Sequence, residues 1–156
     1  QVYEENGRCE AAEVAALCLA NLYNSGGHRK ITPDEYETIK KYLQKFPESM
    51  HIRAAFIIAS EAIYSPSAEY KRVPDKIINK AKQWSEQYPK KIEFQEAYFG
   101  LLFSRLKYAQ AQDMRNEQRR VYREMKTVAE RANYSEYNES NQLMESVDIL
   151  HRVFGY

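Results

Sequence analysis

Arg115, Arg119, Arg120, Arg123 and Lys126 form the densest basic cluster of this 156-residue sequence. On a helix, Arg115, Arg119 and Arg123 recur every fourth position and share one face, an arrangement able to clamp phosphates or an acidic peptide. Glu117, Glu124 and Glu130 alternate with these bases, so the same face also reads as a solvated exterior. For catalysis the sequence offers little. Gly26-Gly27-His28-Arg29-Lys30 is the only Gly-rich loop, and it lacks both the Walker spacing and a preceding strand. His28, His51 and His151 are scattered, and Glu93 and Glu96 sit one helical turn apart like many acidic pairs on exposed helices. No nucleophile–base pair, phosphate loop or metal-ligand cluster assembles, so no catalytic residue, metal ligand or cofactor is expected and the chain reads as a non-enzyme.

Cys9 and Cys18 fall on one predicted helix. Nine residues of helix would set their backbones about 13 Å apart on opposite sides, which excludes a mutual disulfide. Reduced thiols fit a cytosolic setting. Two Cys and three dispersed His do not make a structural zinc site. The net charge of +1 removes the simplest argument for a nucleic-acid or anionic-membrane partner. No stretch approaches the about 20 apolar residues that span a bilayer. Asn133-Tyr134-Ser135 and Asn138-Glu139-Ser140 match the glycosylation acceptor pattern but read here as helix-cap chemistry. Thirteen tyrosines, each with a large ring and a polar tip, suit half-exposed packing seams.

The elements that would position these residues are all helical. Thr32-Pro33-Asp34-Glu35 opens a helix: Thr32 can cap, Pro33 fits the first helical position, and Glu35 completes a capping box. Tyr36, Ile39, Leu43 and Phe46 follow on one stripe, ended by Pro47. A helix over Glu48 to Tyr64 carries two apolar faces. Pro74 opens the next, striped by Ile77, Ala81, Trp84 and Tyr88 and stopped at Pro89. Lys90 to Gln110 forms a long helix, Asp113 caps a helix bearing Met114, Val121, Met125, Val128 and Ala132, and Ser135 to Phe154 forms the last, with Gly155 as its C-terminal cap. With a first helix over Cys9 to Tyr23, the expectation is seven helices and no strand. That first helix is apolar almost all round, so it predicts earlier hairpins in a larger parent protein, or self-association through the face they would cover.

One local pattern occurs twice. Ile39 to Phe56 matches Ala81 to Tyr98 at an offset of 42: Phe46-Pro47 with Tyr88-Pro89, Met50 with Ile92, Ile52 with Phe94, Ala55 with Ala97, Phe56 with Tyr98. A fixed period of this size marks stacked helical hairpins, because each hairpin leaves an apolar face that a neighbour must cover. On these residues the chain resembles the tetratricopeptide repeat family: a first helix rich in small residues, an amphipathic second helix, and a Pro after it that turns the chain into the next unit. The second helices would be Pro33 to Lys45, Pro74 to Gln87 and Asp113 to Ala132. The family's Trp…Leu-Gly…Tyr signature is absent, with Ile57 and Phe99 at the small Gly position and Ser60 and Leu102 at the Tyr position. The unit is also longer than the usual about 34 residues.

The resemblance implies an all-α solenoid of about three and a half hairpins, a single right-handed repeat domain over residues 1–156. It also implies a concave face lined by the first helices, with His51, Ala54, Ile58 and Glu61 facing inward from one hairpin and Glu93, Glu96, Gly100 and Phe103 from the next. Such a groove, apolar at Ile58 and Phe103 and edged by acids, would hold a protein or peptide with basic and apolar side chains. The leading expectation is therefore a cytosolic protein- or peptide-binding scaffold. The alternatives are a nucleic-acid-binding repeat using the Arg115 to Lys126 face, and a sensor binding a small ligand or peptide in the groove.

Overall fold

The computed structural model describes residues 31–65, 71–133 and 142–156. Six α-helices occupy them: α1 (Pro33–Lys45), α2 (Met50–Tyr64), α3 (Asp75–Gln87), α4 (Ile92–Ala111), α5 (Arg115–Asn133) and α6 (Gln142–Phe154). Among the described residues there is no strand. The expected helix over Cys9 to Tyr23, the Gly26 to Lys30 loop and the Asn138 acceptor pattern lie outside the described residues. The chain divides into two compact units, one ending at Ile63 and one beginning at Tyr64.

In the first unit, α1 starts as its residues demand. The Thr32 hydroxyl accepts the Glu35 N–H at 3.2 Å and donates to the Glu35 carboxylate at 3.1 Å, while Pro33 occupies the first turn. Asp34 and Glu35 place negative charge at the positive end of the helix. The stripe Tyr36, Ile39 and Leu43 is buried. The Tyr36 ring stacks on Phe56 of α2 at 5.8 Å, and its phenol meets the buried Ser60 hydroxyl at 2.7 Å, which in turn donates to the Phe56 carbonyl.

Two backbone bonds of the corner between α1 and α2 recur between α3 and α4 at the 42-residue offset. Phe46 N–H returns to Tyr42 O at 2.8 Å and Tyr88 N–H to Trp84 O at 2.9 Å. Ser49 N–H reaches Phe46 O at 3.2 Å and Lys91 N–H reaches Tyr88 O at 3.0 Å. Phe46 and Tyr88 share nearly the same backbone angles, φ −129° with ψ 66° and φ −118° with ψ 61°. Both corners then recruit a side chain from the second turn of the following helix. Arg53 donates Nε to Pro47 O at 2.7 Å, and Gln95 donates Nε2 to Ser85 O at 2.8 Å and Tyr88 O at 3.1 Å. These corners consume two more residues than the sequence pattern suggests, so α2 begins at Met50 rather than Glu48 and α4 at Ile92 rather than Lys90.

In the second unit α4 packs against α3 on one side and α5 on the other, and α5 packs against α6. Between Phe94 and Leu106 of α4, only Glu96, Gly100 and Phe103 escape burial. Asp113 does not cap α5. It adopts φ 53° and ends α4: Met114 N–H bonds to Ala109 O at 2.9 Å and Asp113 N–H to Gln110 O at 3.1 Å, the paired bonds of a Schellman motif. Asp, like Asn, tolerates this left-handed geometry better than most residues. Met114 is thereby turned to solvent instead of joining the α5 stripe of Val121, Met125, Val128 and Ala132, which is buried. Gly155 ends α6 with φ 68°, its N–H on His151 O at 2.8 Å, as its position predicts.

Gln95→Ala leaves the buried Ser85 carbonyl, the part-buried Tyr88 carbonyl and the Arg131 guanidinium each short of a partner, and should cost about 2 kcal/mol of unfolding free energy in urea titrations. The exposed Gln83→Ala on α3 should change it by less than about 0.5 kcal/mol.

Candidate functional site

Two surfaces of the second unit bring polar side chains together, and both are built on α4. The first is its open stripe. Glu93 and Glu96 are exposed and Gly100 and Phe103 half-buried, spaced three to four residues apart along one side of the helix. Lys107 extends the stripe by one turn, its ammonium 5.2 Å from the centre of the Phe103 ring and 5.8 Å from that of Phe154 on α6. Partial desolvation, and then the neighbouring Glu93 carboxylate, pushes the Glu96 carboxyl above the usual range. A cation brought to this pair would relieve the repulsion. The corresponding residues of the first unit sit on α2: His51 is exposed, Ala54 and Glu61 are half-buried, and Ile58 is buried.

The second surface is a cleft of about 280 Å³ where α3, α4 and α5 meet. Ile78, Leu102 and Val121 form its apolar walls, and Asn79, Lys82, Arg105, Arg120, Tyr98 and Glu124 supply its polar groups. Arg105 projects from an otherwise apolar run of α4 and keeps only 5% of its side chain accessible. One terminal nitrogen of its guanidinium is hydrogen-bonded to Asp75 Oδ1 at the start of α3. That carboxylate is 63% exposed and also receives Arg72 at 3.3 Å. The Arg105 Nε–H is buried and has no acceptor among the described residues. Arg120 is held on the α5 surface by a two-pronged bond to Glu117, 2.9 and 2.8 Å. The Tyr98 phenol donates to Glu124 at 2.9 Å, and burial first, then the Glu124 charge, drives the phenol well above its ordinary range. Tyr98 therefore stands in this cleft as a hydrogen-bond donor to Glu124.

Behind the cleft, α3, α4 and α5 are tied by a buried polar cluster. Arg131 donates to the Ser85 hydroxyl at 2.8 Å and to Gln95 Oε1 at 3.3 Å, and Gln95 turns its amide to the α3 corner.

The basic cluster is distributed around α5. Arg115, Arg119, Arg123 and Lys126 are exposed, with Arg115 3.6 Å from Asp113 and Arg123 Nε on the Arg119 carbonyl at 3.4 Å. Arg120 leaves that group for Glu117 and the cleft. Among the described residues no set of three or more His, Cys, Asp or Glu could hold a metal ion, and no helix is long and apolar enough to cross a membrane. Sequence reasoning passed over the cleft. The available signal was Arg105 itself, a charge set between Leu101-Leu102 and Leu106, where a charged side chain is rarely buried unless paired. Comparison with protein-family models, with curated proteins and with solved structures finds no match to this chain.

The Arg105 guanidinium, first by hydrogen bond and then by charge, holds the Asp75 carboxyl below the usual range. A lowered native pKa gives stability that is present above the ordinary carboxylate range and is lost as pH falls through the lowered value. Asp75→Asn should therefore melt below the wild type at pH 7, and the gap should close below about pH 4. A gap that stays constant across circular-dichroism melts over that range would refute the pairing.

Proposed function

We infer that the chain is a tetratricopeptide-like helical repeat that binds a protein or peptide and acts as a scaffold or sensing arm. The observation that carries this reading is the repeated corner. Helices α1 and α3 have the same length at the 42-residue offset, their C-terminal bonds match, and the following helices begin in the same register. Repetition of a helix–corner–helix unit is the raw material of a right-handed solenoid, in which each hairpin buries the apolar face of its neighbour. Helix α4, buried on nearly every side, has the character of a first helix held between two second helices.

In such an arrangement the exposed side of each first helix faces the concave surface. On α4 that side is Glu93, Glu96, Gly100 and Phe103; on α2 it is His51, Ala54 and Glu61, with Ile58 beneath. Two adjacent carboxylates, one disfavoured in its charged form, followed by a half-buried aromatic ring, suit an extended or helical peptide with a Lys or Arg one turn from an apolar side chain. The exposure of Arg115, Arg119, Arg123 and Lys126 on α5 supports a second reading, nucleic-acid binding through that helix.

Selection of a displayed random-peptide library on the folded chain separates these readings. Peptides pairing basic with apolar residues should be enriched, and Glu93→Lys/Glu96→Lys should weaken their binding by about tenfold or more. No enrichment, or enrichment indifferent to that variant, would sink the peptide reading. RNA or DNA binding that falls steeply with salt and disappears in Arg119→Glu/Arg123→Glu would put nucleic acid in its place.

A further inference from the structure

We propose that the cleft between α3, α4 and α5 binds a small oxyanion, a carboxylate or a phosphate, carried on a short apolar stem. The inference stands apart from the peptide reading, since the cleft and the Glu93–Phe103 stripe lie on different sides of α4.

Arg105 is the central observation. Its side chain is 95% withdrawn from solvent, as the 5% accessibility requires, yet the Nε–H has no acceptor among the described residues. Buried donors in folded proteins are almost always satisfied, and a buried cation with an open donor is the more unusual case. Its one carboxylate partner sits at the rim, mostly in solvent and shared with Arg72, so the guanidinium is neutralised from outside and left underused within.

The surrounding groups favour an anion. Lys82, Arg105 and Arg120 line the cleft against a single lining carboxylate, Glu124. Tyr98 donates its phenol hydrogen to Glu124, which occupies part of that carboxylate's acceptor capacity. Asp75 and Glu117 stand beside the cleft, Asp75 engaged with Arg105 and Arg72 and Glu117 with Arg120. With Arg72 included, four cations meet three carboxylates. The donors Lys82 and Asn79 lie on α3, opposite Arg105 and Arg120, so an oxyanion would be held between helices. Ile78, Leu102 and Val121 form the apolar lining that would take a short hydrocarbon stem. At about 280 Å³ the cleft suits a group the size of an amino-acid side chain or a small metabolite, near the lower end of small-molecule sites.

The test reads the Arg105 Nε–Hε cross-peak by proton–nitrogen NMR of the whole chain during titration with inorganic phosphate, acetate, capped phosphoserine and capped aspartate. Sodium chloride at matched ionic strength is the reference. The cross-peak should move downfield and saturate with at least one oxyanion and not with chloride. In Lys82→Gln/Arg120→Gln, both at exposed positions, the midpoint should rise about tenfold. Arg105→Lys keeps a charge for Asp75 but lacks the Nε donor, and should abolish saturable binding followed on the Asn79 amide. Should that variant fail to fold, the double variant still decides, because it is read on the intact Arg105. Tighter saturation by the capped residues would assign the oxyanion to a docked peptide, and tighter saturation by the free ions to a small molecule. A cross-peak that follows chloride throughout, or a midpoint unchanged in the double variant, would overturn the proposal.

Discussion

Burial of α4 along nearly its whole length is the constraint on which the second unit depends. On the sides covered by α3 and α5 the helix cannot leave polar side chains to water, so each one there must find a partner in the protein or stand as an exception. Gln95 meets the demand fully. Its amide closes the α3 corner and its carbonyl oxygen receives Arg131. Ser104 meets it locally, on the Gly100 carbonyl at 3.2 Å. Arg105 meets it in part, with one nitrogen on Asp75 and Nε left over. The graded satisfaction of these three residues explains why α4 is fixed at its start and chemically open near its middle.

The two corners show the same constraint answered by different chemistry. Each helix that precedes a corner ends with carbonyls lacking an intrahelical donor, and a proline that cannot donate follows two residues later. A long donor on the next helix satisfies carbonyls at each corner, Pro47 O in the first and Ser85 O and Tyr88 O in the second. In the first unit that donor is Arg53, which also holds Glu48 at 3.1 Å; in the second it is the neutral Gln95, buried more deeply and needing no counter-ion. The two corners therefore share a backbone geometry while the side chains that bond their carbonyls differ.

That difference also governs how much could be read from the chain alone. Helix α1 was legible to the residue, because Thr32, Pro33 and Glu35 act through bonds three positions apart. The corners were legible from their aromatic-Pro pairs, but the following helices start two residues later, since the corner closes through Ser49 and Lys91. Asp113 is ambiguous in sequence because the same residue type serves helix starts through its side chain and helix ends through its tolerance of positive φ; only the backbone angle decides between them. The open stripe on α4 follows from helical periodicity. The cleft does not, as it joins Arg105 to Asp75 thirty positions away and Tyr98 to Glu124 twenty-six positions away. No local pattern encodes pairings at that range, and the isolated charge in an apolar run was their only trace.

One helix thus carries two chemically opposed surfaces. Counting about 100° per residue from Gly100, Tyr98, Leu102 and Arg105 fall on the far side of the helix from Glu96 and Phe103. An α-helix with its side chains is about 10 Å across, so the acidic stripe and the cationic cleft are separated by the packed body of α4. Substitutions at that distance with no shared partner act nearly additively. The partners bear this out: Glu96 answers to Glu93, whereas Arg105 answers to Asp75 and Arg120 to Glu117. Changes on one surface therefore leave the electrostatics of the other close to intact, and a ligand on either side must act through α4 as a rigid element if it is to be felt on the opposite one.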